Sequence, residues 1–220
     1  MRILLLLVAL NMPLLAHAED WAFTSQVSSL GFSLGFGKPI GGNVNGRLTA
    51  NVFSYNETVT ESGIDYDVGL DLRSASLLFD WHPSRSAFRV TVGGFYNGNE
   101  ADLDARSLTG TFNINGTNYN VSDVGSLRGD ISYGASAPYL GVGWGNISAN
   151  RSGWGMAWDL GVLYQGDPDV GLNVTCSPSL TAGQCTTLTS DVAAESQALR
   201  NDIEDQKWYP VFSMGVLYRF

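Results

Sequence analysis

The last thirteen residues of the chain, 208–220, decide the fold, and they read WYPVFSMGVLYRF. Large apolar and aromatic side chains occupy alternate positions, at Trp208, Pro210, Phe212, Met214, Val216, Tyr218 and Phe220. Smaller or polar residues fill most positions between them. A repeat of two residues places one set on each side of a β-strand, so this stretch is predicted to be a strand with two chemically different faces.

The same alternation recurs along most of the chain. In residues 154–165, for example, Trp154, Met156 and Trp158 alternate with Gly155, Ala157 and other small residues. The pattern predicts strands at about 25–36, 44–55, 66–81, 87–99, 132–145, 154–165 and 208–220. The sequence therefore indicates an all-β protein.

The two strand faces indicate a membrane barrel rather than a soluble sandwich. The apolar face is aliphatic in the middle and aromatic near the strand ends, with a predicted aromatic girdle of Trp81, Trp144, Trp154 and Trp158. Such a band is typical of lipid-facing barrel surfaces. The other face is rich in glycine, serine and alanine, and it carries the predicted lumen charges Arg47, Asp80, Arg89, Asp159 and Arg219. Because unpaired charges are costly inside a narrow barrel, these five are expected to pair with one another and to stabilise it.

Composition excludes several other classes of protein. The chain has 220 residues, of which 44% are hydrophobic and 15% charged, with 26 glycines and a net charge of −9. It contains no apolar run of the roughly 20 residues that a membrane-spanning helix needs. An acidic chain is also a poor nucleic-acid binder. No cluster of ligand residues predicts a metal site, and no cofactor is expected.

The first residues predict export. Arg2, an apolar run and the small-residue site at 16–18 form a secretory signal peptide, so the predicted domains are a signal peptide at 1–18 and a barrel at 19–220. Export permits disulfides, and Cys176 and Cys185 are the only cysteines. They are expected to form a disulfide that closes a small loop.

Seven strands violate the even number expected of a bacterial barrel. We predict eight, with residues 170–176 as the best candidate for the eighth and a hairpin at 111–121 around Asn115-Gly116 as the runner-up. In residues 66–81 the apolar positions change parity near residues 73–75, which indicates either a β-bulge or a first half that stands above the membrane. One short loop helix is predicted at 190–207, lying on the barrel mouth with a thin apolar stripe of Val192, Leu199 and Ile203.

The chain end resembles the assembly signal of Gram-negative outer membrane β-barrels. The residues that carry this likeness are Trp208, Phe212, Tyr218 and Phe220. Residues 88–99 (FRVTVGGFYNGN), 137–145 (APYLGVGWG) and 208–211 (WYPV) are similar to a family of small, uncharacterised proteobacterial outer membrane proteins, related to the outer membrane protein A and W barrels. The resemblance implies an eight-stranded antiparallel up-and-down transmembrane β-barrel in the cell outer membrane. It also implies contacts with outer membrane lipid and lipopolysaccharide, and with the barrel assembly machinery through the last strand.

Three functions are weighed on this basis. The favoured one is a non-enzymatic structural or surface-interaction role. The first alternative, allowed by the resemblance to outer membrane protein W, is a narrow conduit or binder for a small apolar ligand. The second is a lipid A-modifying acyl hydrolase, in which His82 would be the base for Ser84 or Ser86. Acidic residues such as Asp102 and Asp104 are expected in solvated loops.

Overall fold

The computed structural model describes residues 21–61, 64–105, 110–147 and 152–220, with side chains at 61 and 64 excepted. The predicted signal peptide therefore lies outside the described residues. The strands are β1 (Ala22–Ser28), β2 (Gly31–Gly41), β3 (Val44–Glu61), β4 (Ile64–Trp81), β5 (Phe88–Asn97), β6 (Glu100–Ala105), β7 (Thr111–Ile114), β8 (Thr117–Asn120), β9 (Val124–Ser132), β10 (Ser136–Trp144), β11 (Gly153–Tyr164), β12 (Asp169–Cys176) and β13 (Trp208–Arg219). The helices are α1 (Ala182–Ile203) and a short 3-10 turn at Val121–Asp123.

Eight of these strands form a closed antiparallel barrel, as predicted. Hydrogen bonds link them in the order β1, β2, β3, β4, β5, β10, β11 and β13, and β13 pairs back with β1. Starting at Gly153, the partners run through Arg219, Ala22, Gly37, Arg47, Leu78, Gly93 and Tyr139 to Leu163. The circuit thus returns to β11 ten residues further along. This stagger tilts the strands by roughly 40° and gives a barrel just wide enough to be filled by side chains.

The eighth barrel strand arises because β1 and β2 are two strands where a single one was predicted. The strand predicted at 25–36 is wrong, because a turn at Ser29 and Leu30 divides it into β1 and β2. The Ser28 hydroxyl closes the turn by accepting a 3.1 Å hydrogen bond from the Leu30 amide, and Gly31 supplies a φ of +99°. Leu30 fits the alternation of Phe32 and its neighbours in sequence, yet its side chain is 1% exposed and points into the lumen.

A sheet extension rises from one side of the barrel. β4 pairs with β3 in an unbroken register over the full 18 residues of each strand, so β4 has no bulge at residues 73–75. The apolar positions change parity there because the first half of β4 stands above the apolar band. The outer half of β4 pairs with β6, β6 with β9, and β9 with β12. We call the outer halves of β3 and β4 with β6, β9 and β12 the sheet extension. Residues 170–176 do form a strand, but it belongs to this extension and is not the eighth barrel strand.

A cap covers the inner face of the sheet extension. It consists of α1 and the hairpin of β7 and β8, whose turn residues Asn115 and Gly116 both have positive φ, as a tight hairpin turn requires. The helix begins at Ala182, eight residues before the predicted start, because Thr181 and Gln184 form a capping box. Threonines in the first turns of α1 hid its start from the sequence analysis, since β-branched residues are weak helix formers.

The predicted disulfide between Cys176 and Cys185 is confirmed. The two Cα atoms lie 5.8 Å apart, and the bond joins the end of β12 to the first turn of α1.

The barrel has two different ends. Residues 22 and 219 lie together at what we call the terminal end, with the turns at 42–43 and 82–87 and with residues 145–147 and 152. The described parts of both long connections, 110–123 and 177–207, lie at the opposite end, which we call the loop end. No described helix is long and apolar enough to span a bilayer.

The outer wall of the barrel carries the apolar side chains. The predicted girdle residues all point outward, with Trp81 52%, Trp144 48%, Trp154 71% and Trp158 37% exposed. Trp208 and Tyr164, whose rings lie 4.8 Å apart, stand toward the loop end. A wall that is apolar outside and polar inside is the arrangement of a membrane barrel.

Candidate functional site

A buried charge network crosses the lumen. It brings together Arg47 on β3, Asp80 on β4, Arg89 on β5 and Asp159 on β11, four of the five predicted lumen charges. Arg47 Nε lies 2.6 Å from an Asp80 oxygen, and Arg89 Nη2 lies 2.8 Å from Asp159 Oδ1. Each arginine also contacts the other carboxylate, at 3.2 Å and 3.6 Å. Two positive and two negative groups therefore form one neutral cluster.

Neutral polar groups complete the network. Asp159 Oδ2 accepts hydrogen bonds from Gln26 and Ser213, and Asp80 Oδ1 accepts one of 2.7 Å from Thr91. Arg89 also donates to the carbonyl of Gly145. The four charged side chains are at most 6% exposed. A buried charge is tolerable when it is both paired and hydrogen-bonded, and this arrangement meets both conditions.

The fifth predicted lumen charge lies apart from the network. Arg219 occupies the inner face of β13 close to the terminal end, where its guanidinium donates to the carbonyl of Asn146 over 3.4 Å. Alternation along β13 places its side chain on the lumen face correctly. It could not show that Arg219 lies six residues along β13 from Ser213, the strand partner of Asp159.

An apolar plug fills the lumen on the loop-end side of the network. It consists of buried side chains from five strands and the first turn: Leu30, Leu78, Phe95, Ala137, Tyr139, Leu163 and Val211. Tyr139 lies over Gly141 and Gly161, where an added Cβ would come within about 2.4 Å of its hydroxyl, so larger residues at either glycine would displace the ring. The cavity left between plug and network is about 30 Å³, room for roughly one water. The lumen is therefore closed to ions and to apolar ligands in this conformation.

The proposed hydrolase pair is not assembled. His82 is 2% exposed, and its Nδ1 lies 3.0 Å from the backbone carbonyls of Ser86 and Phe88. Its Nε2 lies 3.0 Å from Asn45 Nδ2. Both ring nitrogens are therefore engaged by groups other than the hydroxyls of Ser84 and Ser86. His82 ties the turn at 82–87 to β3, which is a structural role.

The cap packs on the sheet extension through a small core of its own. Leu188 and Val192 of α1 are fully buried against residues of the hairpin and the sheet, among them Phe112, Ile114, Val121, Val124 and Ala105. The predicted stripe was only partly right, because Leu188 takes part and Leu199 is exposed. Arg200 adds an ion pair with Asp169 at 2.8 Å. These contacts form a compact unit outside the barrel wall.

A carboxylate on α1 holds the hairpin. Asp191 accepts hydrogen bonds from the Tyr119 hydroxyl and from the Asn115 side chain, and Glu195 accepts one from the Asn115 amide. The bonds from Tyr119 and Asn115 lower the pKa of Asp191 below its ordinary value. The same bond to Asp191 raises the pKa of Tyr119 to about 12.

The cap is therefore expected to loosen at both extremes of pH. Because folding lowers the pKa of Asp191, the ionised carboxylate stabilises the cap at pH values above its unfolded pKa of about 4. This stabilisation is lost as the pH falls further. Because the Tyr119 pKa is raised, its contribution is present below about pH 10 and is lost as the pH rises through 12. Amide NMR shifts of α1 in micelles should change at acid pH while those of β13 stay constant. The Tyr119→Phe variant should show a weaker acid dependence, and an identical one would contradict the assignment.

The outward face of the sheet extension is acidic. Three pairs of carboxylates lie directly opposite each other on neighbouring strands: Asp67 and Asp104, Asp71 and Glu100, and Asp102 and Asp130. Asp102 and Asp104 were expected in a solvated loop, but they lie on the strand β6. Like charges in such positions are mildly destabilising. Among the described residues no group of acidic, histidine or cysteine side chains could hold a metal ion.

These features define a class: a small, closed, eight-stranded β-barrel of membrane type with a filled lumen and a capped extension. Similar solved structures are the crystal structures of CarO and of CarO2 from Acinetobacter baumannii, each 23% identical to this chain. Each match covers 92% of this chain, with 98% of CarO and 99% of CarO2, at TM-scores of 0.57 and 0.58. The likeness shows the fold.

Sequence comparisons add nothing to this likeness. No protein-family model and no curated protein matches the chain. The resemblance to a family of small outer membrane proteins, based on its motifs, stays a prediction. So does the role of Trp208, Phe212, Tyr218 and Phe220 as an assembly signal.

Proposed function

We propose that this chain is an integral protein of the bacterial outer membrane, without enzymatic activity, whose work is done by the sheet extension and the cap at the cell surface. A tilted transmembrane strand needs about 9–11 residues. β3 and β4 each have 18 residues, so about half of each stands beyond the membrane. This excess of ordered structure outside a filled barrel is the observation that carries the proposal.

The orientation follows from the two ends. In bacterial barrels short turns face the periplasm and long connections face outward. The terminal end would then be periplasmic, and the cap, the disulfide and the acidic face would be exposed on the cell. A disulfide is stable in that oxidising setting. Lipopolysaccharide would surround the apolar wall on this side, and the assembly machinery would contact the last strand.

The lumen supports this role over the two alternatives. A conduit for small apolar molecules needs an open apolar path, whereas the lumen holds a charge network, a plug and a cavity of about 30 Å³. A hydrolase needs a base next to a nucleophile, and the ring of His82 bonds to Asn45 and to backbone carbonyls instead. Interaction through the outer surface requires neither.

A rescue experiment tests the proposal. Cells that lack the gene are compared with wild type for host adhesion and phage sensitivity, and then complemented with two variants. In the first, a short glycine-serine linker replaces residues 177–207 and Cys176 becomes serine. In the second, the lumen change Thr91→Val removes a hydrogen bond to Asp80. We expect the lumen variant to restore the surface phenotype and the variant without α1 to fail, with both inserted in the outer membrane. Full rescue by the variant without α1, or no phenotype on deletion, would contradict the proposal.

A further inference from the structure

One edge of the sheet extension has no neighbouring strand among the described residues. β2 pairs with β3 only as far as Phe32 opposite Val52, and no described strand pairs with that side of β3 beyond this point. Residues 53–60, in the outer half of β3, therefore form an open edge, and each of them is exposed. We call them the β3 edge. An open edge of this length presents main-chain donors and acceptors that can pair with another extended chain.

The opposite edge of the sheet extension, β12, is covered by α1. The Ser196 hydroxyl donates to the Val170 carbonyl over 2.9 Å, and Arg200 donates to the same carbonyl over 3.3 Å. Proteins commonly protect an edge with a helix, a proline, a lysine or a bulge. The β3 edge contains no proline or lysine, and its register with β4 is unbroken. Of the two edges, only β12 is thus protected by the structure described here.

The direction of the main-chain groups on the β3 edge follows from β4. The Arg73 carbonyl accepts a bond of 2.9 Å from the Gly98 amide, and the Arg73 amide donates to Asn99 over 3.1 Å. Arg73 therefore directs both groups away from β3. Because this direction alternates along an antiparallel strand, Leu72, which lies opposite Phe53, bonds to β3 instead. The even-numbered residues of the β3 edge consequently direct their amides and carbonyls toward the open side; they are Ser54, Asn56, Thr58 and Thr60.

An apolar row flanks the β3 edge on the inner face of the sheet. It consists of Phe53, Tyr55 and Val59, which are 44%, 49% and 43% exposed because the cap packs on the other strands of the sheet extension. These side chains stand beside the open main chain, within reach of every second side chain of an added strand. A segment that pairs with the β3 edge would gain by placing apolar side chains on this face.

Carboxylates flank the β3 edge on the outer face of the sheet. The threonine hydroxyls of the edge donate hydrogen bonds of 2.6 Å to Asp65 and Asp67 on β4. The Ser54 hydroxyl donates likewise to Asp71. Neither the β3 edge nor the stretch of β4 opposite it contains a lysine or an arginine, and the first cation of β4 is Arg73. Basic side chains on this face of an added strand would therefore lie near charges of opposite sign.

We propose that the β3 edge binds an extended segment of a partner protein as an added antiparallel strand, and that apolar and basic side chains alternate in this segment. The main chain of the segment pairs with the open amides and carbonyls. Its apolar side chains contact the apolar row, and its lysines or arginines lie beside the carboxylates of the outer face. A second copy of this chain is a poor occupant, because it would bring its own acidic edge against these carboxylates. The inference names the kind of partner that the cell-surface structure binds, and it therefore rests on the proposed function.

Binding of short synthetic peptides to the folded protein in non-ionic detergent tests the inference. The probe is a labelled peptide in which valine and lysine alternate, and a comparison peptide has glutamate in place of lysine. Two further peptides keep every charge but carry methyl groups on the lysine amides or on the valine amides. The test variant is Asn56→Pro, which deletes an amide directed toward the open side. Its matched control, Asn56→Ala, removes the same side chain and keeps that amide, and the gel shift on boiling checks that each variant is folded.

We expect the valine–lysine peptide to bind the wild type and Asn56→Ala alike, and to bind Asn56→Pro and the wild type with affinities that differ by about tenfold or more. The glutamate peptide should bind weakly. Residues that exchange hydrogen bonds in an antiparallel pair share one face, so methyl groups on the lysine amides should abolish binding and those on the valine amides should not. Hydrogen exchange should slow at the amides of the even-numbered residues of the β3 edge.

Three results would overturn the inference. The first is equal binding of the valine–lysine peptide to Asn56→Pro and to the wild type. The second is equal binding of the glutamate peptide or of the peptide with methylated lysine amides. The third is a dimer of the wild type that Asn56→Pro abolishes, which would assign the β3 edge to a second copy of this chain.

The rescue experiment in cells separates this inference from the proposed function. We expect Asn56→Pro to fail, like the variant without α1, and Asn56→Ala to restore the surface phenotype. Rescue by Asn56→Pro would contradict this inference alone, whereas the absence of any phenotype on deletion of the gene would contradict the proposed function.

Discussion

The Asp159→Ala variant is expected to lose about 3–5 kcal/mol of unfolding free energy. Asp159 contacts both arginines of the charge network, at 3.2 Å and 2.8 Å. Without it, Arg47 and Arg89 would share Asp80 alone, which leaves a net positive charge buried in the lumen. Urea unfolding of the protein in lipid vesicles, followed by tryptophan fluorescence and by the gel shift between boiled and unboiled samples, measures the loss. The Arg89→Ala variant should lose stability for the mirror-image reason, without any change in transport.

The matched control for this prediction is Asp104→Ala. Asp104 also pairs with an arginine, Arg128, at 2.7 Å, but both side chains are exposed. Exposed pairs contribute about 0–1 kcal/mol, so the control should be close to wild type. If Asp159→Ala were no more destabilising than Asp104→Ala, the network would not stabilise the barrel.

The second large effect is expected from removing the disulfide. The double variant Cys176→Ser and Cys185→Ser releases a cross-link between residues nine apart in sequence, which corresponds to about 2–3 kcal/mol of loop-closure entropy. Because the bond joins β12 to α1 and touches no barrel strand below the sheet extension, the loss should be confined to the cap. Hydrogen exchange should speed up in residues 182–203, and a protease should cut within 177–207.

The barrel itself is the internal control for the disulfide variant. Exchange in β1 and β13 and the gel shift on boiling should match wild type. Unchanged exchange in α1 would show that the side-chain core of the cap suffices without the cross-link. Loss of the barrel gel shift would show that the cap and the barrel unfold as one unit.

Much of the barrel follows from local alternation, because the apolar wall and the small-residue lumen repeat at every second position. That pattern gave six barrel strands, the direction of their faces and the lumen position of all five charges. It failed at Leu30, where an apolar residue in phase with the outward set turns inward to fill the plug. The outward positions are odd in β1, as at Val27, and even in β2, as at Phe32, so the phase of the alternation changes across residues 29 and 30. This change is the signal of the turn that the reading of one continuous strand missed.

The rest depends on contacts between residues far apart in sequence. The stagger between neighbouring strands decides which lumen charges lie at the same height along the barrel axis. That stagger accumulates over all eight strand pairings. For this reason Arg219 could be placed on the correct face but not apart from Asp159. The helix and the hairpin of the cap were each predicted in part, but their packing together was not. The reason is related, since α1 is stabilised by Leu188 and Val192 against the hairpin and the sheet rather than by a strong apolar stripe of its own.

The central claim is that the charge network and the plug close the lumen. Single-channel recording tests this claim most directly. The folded protein, checked by its gel shift on boiling, is inserted into a planar lipid bilayer at neutral pH. We predict insertion without a steady ion conductance above that of the bare bilayer. A stable, reproducible open level from the unmodified protein would contradict the closed lumen and would favour a conduit.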